Sequence, residues 1–149
     1  MLWVLKELNL QYKIIRINPF EQESIHPEIL KLNPDGKVPI LVHDGKILLE
    51  SVAIMEYLDS ISQTGGLVPH TKQVNYEFRY KLHYGLTEIE PYLWLAEQAN
   101  GPLSNCYHWP SGVYPESIKR IKHGCPRVQT FITNSNYLLE SGFSIADIY

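Results

Sequence analysis

The pattern of apolar residues changes character once along the chain, at residues 63–70. Before this break, there are short segments rich in β-branched residues, in which apolar and polar residues alternate as they do in strands. After it, apolar residues recur at helical spacing over a long segment, 71–99. Because the break holds two glycines and a proline, it interrupts both patterns. The sequence therefore predicts an α/β domain over residues 1–62, a linker over 63–70 and an all-helical domain over 71–149.

The first domain is predicted to consist of short strands and helices. The dipeptide Asp44-Gly45 supplies the positive φ angles that a type I′ turn requires, so it joins two strands into a hairpin. Along the last helix, Ile54, Tyr57, Leu58 and Ile61 mark the predicted apolar face. The predicted elements are a helix ending near residue 8, strands at 11–17, 38–42 and 46–49, and helices at 27–32 and 51–61.

The second domain is predicted to be entirely helical. Its long first helix is expected to kink at Pro91, because proline removes a backbone donor and clashes with the preceding turn. A second helix starts at Pro115, and the Gly-Cys-Pro run at residues 124–126 is expected to interrupt it. Ser144 and Asp147 have the spacing of a capping box, which predicts the start of a further helix.

Composition excludes several classes of function. The net charge is −3 and there is no Lys/Arg run, so the chain lacks the positive electrostatic potential that binds nucleic acid. No apolar stretch approaches the roughly 18 residues that a membrane span needs. The two cysteines build no disulfide framework, and neither they nor the six histidines form a metal-ligand pattern. We expect a cytoplasmic protein without metal, nucleic-acid or membrane partners.

Three short motifs carry a resemblance that covers essentially the whole chain. They are Asn-Pro-Asp-Gly-Lys-Val-Pro at residues 33–39, Leu-Glu-Ser at 49–51 and Phe-Ser-Ile-Ala-Asp-Ile at 143–148. In this order and at this spacing they resemble the soluble glutathione S-transferases. The resemblance implies a thioredoxin-like α/β N-terminal domain with its first strand missing. It also implies an all-α C-terminal domain with its last helices missing.

The resemblance further implies a glutathione site made of five residues. The backbone of Val38, before a proline that is cis in the family, would pair with the cysteinyl unit, and Pro39 would hold that geometry. Glu50 would accept from the γ-glutamyl ammonium, while Ser51 and the helix start would bind a carboxylate. Lys37 would meet the glycine carboxylate. Taken without the resemblance, the favoured interpretation is that Ser51 is only a helix N-cap and Pro39 only a strand-entry proline.

The implied activity of the parent protein is transfer of glutathione to small hydrophobic electrophiles, or peroxide reduction with glutathione, by a homodimer. Glutathione is then the cosubstrate, and its thiolate is the nucleophile. The Ser, Tyr or Cys that stabilises the thiolate is expected before Met1, so no catalytic residue is assigned. The alternatives are a non-catalytic binding or regulatory module and a fragment of a broken gene.

Two expectations about packing follow from the same resemblance. The family's first strand lies between the strands predicted at 11–17 and 38–42, and without it their backbone groups lack partners. We therefore expect the 149-residue chain to be poorly stable alone. Tyr76, Tyr80 and Tyr84 form a stripe on the long helix, which borders the electrophile pocket and the dimer interface in the family. Packing or dimer contact is the favoured interpretation of this stripe.

Overall fold

A computed structural model describes residues 1–17, 26–102, 104–132 and 135–149. Apart from the final two residues, the chain divides into two compact units, Met1–Val68 and Pro69–Asp147. The first unit combines helices with a β-hairpin, and the second is helical. Within the described ranges, no helix has both the length and the apolar character that crossing a bilayer requires.

The first unit contains three helices and two strands within the described residues. The predicted helices are confirmed, whereas the strands are shorter than predicted because Val38, Pro39 and Ile40 lie outside the ladder. Pro39 has no N–H to donate to a neighbouring strand. The elements are α1 (Leu2–Glu7), α2 (Pro27–Leu32), β1 (Leu41–His43), β2 (Lys46–Leu48) and α3 (Ser51–Ile61).

The strand predicted at residues 11–17 is wrong. This segment has no regular secondary structure, and Ile15 is 76% exposed. An alternating sequence becomes a strand only when a neighbour accepts its backbone hydrogen bonds. In the described part of the chain the sheet consists of β1 and β2 alone, so this segment has no strand to pair with.

The hairpin is formed as the sequence predicts. Asp44 and Gly45 both have positive φ angles, 49° and 73°, which match the type I′ turn. The strands pair antiparallel, with Leu41 opposite Leu48 at the end away from the turn. Beside the turn, His43 Nδ1 lies 2.8 Å from Tyr57 Oη, and this hydrogen bond ties the hairpin to α3.

The core of the first unit lies between α1, α2 and α3. Its side chains are at most 5% exposed, which makes them the main source of hydrophobic stabilisation in this unit. The buried face of α3 includes Met55 and Asp59, and Ile61 is 41% exposed, so the predicted apolar face was wrong at its last position. The core side chains are Val4, Leu5, Leu8, Ile29, Ile54, Met55 and Leu58.

The second unit begins with a long helix that changes pitch before a proline. Pro91 cannot donate a backbone hydrogen bond, and its ring would meet the carbonyl of Thr87 in a regular helix. The helical turn before Pro91 is π-helical, and its greater width gives the proline ring more room beside the Thr87 carbonyl. The elements are α4 (Lys72–Tyr84), a π-helical segment (Gly85–Ile89), α5 (Glu90–Asn100), α6 (Val113–Phe131) and α7 (Ile145–Ile148).

The start of α7 is confirmed as a capping box. The backbone N–H of Ser144 donates to Asp147 Oδ2 at 2.9 Å, and that of Leu138 donates to Asp147 Oδ1 at 2.6 Å. Asp147 therefore also fixes the chain that leads into the helix.

The interruption predicted at residues 124–126 is wrong, because α6 is continuous through Pro126. Gly124 is buried where α6 packs on the π-helical segment. A Cβ at this position would lie 2.6 Å from Ile89 Cδ1 and 3.2 Å from the backbone oxygen of Glu88. The glycine therefore permits a close helix approach rather than ending the helix.

We expect Gly124→Ala to lower the free energy of unfolding by about 1 kcal/mol, because overpacking outweighs the helix propensity of alanine. Gly85→Ala is the matched control, since Gly85 is also helical and the space that its Cβ would take is open. That substitution should stabilise the chain by up to about 1 kcal/mol. Urea unfolding of both variants measures the difference, and equal stabilisation by both would contradict the packing role of Gly124.

Candidate functional site

The predicted site residues lie at the open end of the hairpin. Val38 and Pro39 come just before β1, and Glu50 and Ser51 come just after β2. The two segments adjoin Leu41 and Leu48, which pair with each other at the end of the hairpin away from its turn. The hairpin thus brings the two segments to one end of the first unit.

The Val38–Pro39 peptide bond is cis, as the resemblance implies. The Val38 side chain is 53% exposed, and its backbone N–H donates to no acceptor in the described part of the chain. An exposed, unpaired peptide group next to a strand is suited to accept an extended peptide as a further strand.

Glu50 has an unusual backbone conformation. Its φ of 68° and ψ of 119° lie outside the regions that residues other than glycine ordinarily occupy. It is the N-cap residue of α3, but its carboxylate caps no backbone N–H and forms no ion pair with a described residue. A strained residue with an exposed and unused carboxylate points to a role in binding rather than in folding.

Ser51 is the first residue of α3, so the N-cap interpretation of its hydroxyl is not supported. The hydroxyl has no hydrogen-bond partner among the described residues. The first helical bond joins the Ile54 N–H to the Glu50 carbonyl, which leaves the N–H groups of residues 51–53 free at the positive end of the helix dipole. Such a helix start favours a carboxylate.

Lys37 is exposed, and within the described residues its ammonium forms no ion pair. It precedes Val38 directly, so its positive charge belongs to the same loop as the unpaired peptide group. A long, flexible side chain of this kind acts as a point charge for an anionic group within reach.

Asn33 is not among the predicted site residues, although it fixes the loop that carries them. Its side chain is 5% exposed, and Nδ2 donates to the Lys37 carbonyl oxygen at 2.9 Å. Its Oδ1 accepts from the Asp35 N–H at 3.1 Å, which forms an Asx turn. The signal in the sequence was the Asn-Pro pair followed by Gly36, a combination typical of turns in which asparagine binds the backbone.

The five predicted residues together offer binding groups rather than a nucleophile. They provide an unpaired peptide group, a free carboxylate, a hydroxyl beside free helical N–H groups, and an ammonium. These groups complement a short peptide with one ammonium and two carboxylates. As for metals, no cluster of three or more potential ligand side chains occurs in the ranges that the structure describes.

A separate open groove of about 460 Å³ lies along α4 and the π-helical segment in the second unit. Two tyrosines of the predicted stripe pack edge-to-face on Phe131, with centroid distances of 5.6 Å from both Tyr80 and Tyr84. Tyr76 is 75% exposed. The groove is lined by Tyr76, Arg79, Tyr80, His83, Tyr84, Thr87 and Glu88.

Comparison with known proteins gives a family match for the first unit. Residues 1–60, which include all five predicted site residues, match the family model described as glutathione S-transferase, N-terminal domain. Residues 1–60 are thus similar to the N-terminal domain of the glutathione S-transferases. The fold of the chain is a thioredoxin-like N-terminal domain followed by a helical domain.

Two curated proteins similar to the chain are named glutathione S-transferases. Glutathione S-transferase 1 of Dianthus caryophyllus is 40% identical over 76 residues, which cover 49% of this chain and 34% of that protein. Glutathione S-transferase 2 of Saccharomyces cerevisiae is 29% identical over 141 residues, or 91% of this chain and 60% of that protein. The chain therefore spans only part of the length of these two relatives.

A solved glutathione S-transferase from Methylobacillus flagellatus, with glutathione bound, has the same fold. It is 21% identical, with a TM-score of 0.81, and the match covers 97% of this chain and 69% of that one. An epsilon-class glutathione S-transferase from the housefly, Musca domestica, is 26% identical with a TM-score of 0.79 over 98% of this chain and 66% of that one. The similarity of fold thus extends over nearly all of this chain.

Proposed function

We propose that the chain binds glutathione at the open end of its hairpin, and that the whole protein transfers glutathione to small hydrophobic electrophiles or uses it to reduce peroxides. The observation that carries the proposal is the group of unpaired polar atoms on Val38, Glu50 and Ser51, which belong to segments at one end of the hairpin. The glutathione bound to the relative from Methylobacillus flagellatus supports the choice of ligand.

Each part of glutathione has a proposed partner. The cysteinyl unit pairs with the backbone of Val38 beside Pro39, in the manner of an added strand. The γ-glutamyl ammonium binds Glu50, and the γ-glutamyl carboxylate binds Ser51 and the free N–H groups at the start of α3. The glycine carboxylate meets Lys37. This arrangement leaves the thiol free to react, which a glutathione-transfer reaction requires.

The names of the relatives support an enzyme over a non-catalytic module, since both are called glutathione S-transferases. We further propose that the protein works in the cytoplasm as a homodimer. The exposed Tyr76 on α4 supports a contact with a second copy on that helix.

We expect Ser51→Ala to raise the glutathione Kd about tenfold or more, since a hydrogen bond to a charged group contributes about 1.5–3 kcal/mol. Isothermal titration calorimetry with glutathione measures the change. Ser60→Ala is the matched control, because Ser60 lies on the same helix and its hydroxyl donates only to the Tyr57 carbonyl at 2.7 Å. Equal Kd values for Ser51→Ala and wild type would count against the proposed site.

A further inference from the structure

Asn33 is the buried centre of the loop before the proposed site. Its backbone N–H donates to the Ile29 carbonyl at 2.7 Å, and its carbonyl accepts from Gly36 N–H at 2.9 Å. Its side chain holds the Asp35 N–H and the Lys37 carbonyl, as described above. Both polar side-chain atoms and both backbone polar groups of this asparagine are therefore hydrogen-bonded, which makes the loop conformation costly to change.

The bond to the Lys37 carbonyl has a geometric effect on the next residue. The carbonyl of Lys37 and the N–H of Val38 belong to one planar peptide group, and this peptide is trans, since the cis bond lies between Val38 and Pro39. In a trans peptide the two groups point in opposite directions. Because Asn33 holds the carbonyl toward the interior, the Val38 N–H is directed outward.

We propose that Asn33 is a positioning residue that aims the Val38 N–H at the peptide backbone of the bound ligand. This inference rests on the proposed glutathione binding. Asn33 does not touch glutathione but acts through the Lys37–Val38 peptide group. An amide is required at this position because one atom must donate to the Lys37 carbonyl while the other accepts from the Asp35 N–H.

Two substitutions test the proposal on the full chain. Asn33→Ala removes both side-chain hydrogen bonds, and Asn33→Asp keeps the acceptor but loses the donor to the Lys37 carbonyl. Asp59→Asn is the matched control, because Asp59 is also 5% exposed, lies in the same unit and accepts two backbone N–H bonds. We expect both Asn33 variants to raise the glutathione Kd at least tenfold, and Asp59→Asn to leave it within twofold of wild type.

A second readout separates positioning from stability. With selective ¹⁵N-valine labelling, the Val38 amide signal of the wild type should shift on addition of glutathione. In the Asn33 variants it should differ before glutathione is added and shift little afterwards, whereas Asp59→Asn should behave as the wild type. If the wild type binds and the Asn33 variants bind with the same Kd and the same Val38 signal, the positioning role is wrong. If the wild type itself fails to bind millimolar glutathione, the proposed function is overturned, and this inference with it.

Discussion

Asp59→Ala should lower the free energy of unfolding of the first unit by about 3 kcal/mol. The Asp59 side chain accepts hydrogen bonds from the backbone N–H groups of Leu67 (2.9 Å) and Val68 (3.2 Å). Each bond to a charged acceptor contributes about 1.5–3 kcal/mol, and the substitution leaves the N–H of the buried Leu67 without an acceptor. Urea unfolding followed by circular dichroism measures the change.

Two controls sharpen this test. Asp59→Asn keeps one carbonyl oxygen for the Leu67 N–H, so its effect should fall between those of wild type and alanine. Asp35→Ala removes an exposed carboxylate in the same unit, at a residue without a positive φ, and should change stability by no more than about 0.5 kcal/mol. A similar loss in Asp35→Ala and Asp59→Ala would show that the two buried hydrogen bonds are not the source of the effect.

Glu50→Gly should make the protein more stable than Glu50→Ala by about 1 kcal/mol while both variants lose affinity for glutathione. Glycine accepts a φ of 68° and a ψ of 119° without a Cβ clash, whereas alanine retains the clash. The relief exceeds the extra chain entropy that glycine gains in the unfolded state. Neither side chain carries a carboxylate, so both should raise the glutathione Kd about tenfold or more.

The measurements for Glu50 are urea unfolding and calorimetric titration on the same preparations. Glu56→Ala is a control on the same helix, outside the proposed site, and should leave the Kd unchanged. Affinity retained by the glycine variant would remove Glu50 from the site. A glycine variant less stable than the alanine variant would show that the backbone at this position is not strained.

The features predicted correctly from the sequence depend on neighbours close along the chain. The Asp44-Gly45 turn follows from the φ preferences of its own residues, and the capping box between Ser144 and Asp147 spans a single turn. The helix α3 was predicted with its observed bounds for the same reason. The motifs at residues 33–39 and 49–51 flank the open end of the hairpin that turns at Asp44-Gly45. The sequence alone therefore indicates that they lie near each other at the candidate site.

The features predicted wrongly depend on contacts that one segment cannot reveal. Whether residues 11–17 form a strand depends on a partner strand rather than on their own alternation. Gly124 has the sequence signal of a helix end, and its packing role emerges only from Ile89 and Glu88 beside it. Asn33 is recognisable as a turn residue, but its link to the proposed site depends on the Lys37 carbonyl that it binds.

Because the hairpin brings its two parts to one end, the proposed glutathione site occupies a single segment of the sequence. Every residue assigned to it, from Asn33 to Ser51, lies in one uninterrupted run closed by a local turn. Substitutions elsewhere in the polypeptide can accumulate without touching this run, provided that the core stays filled. If the proposed site is correct, grafting this run onto another thioredoxin-like scaffold should transfer glutathione binding to that scaffold.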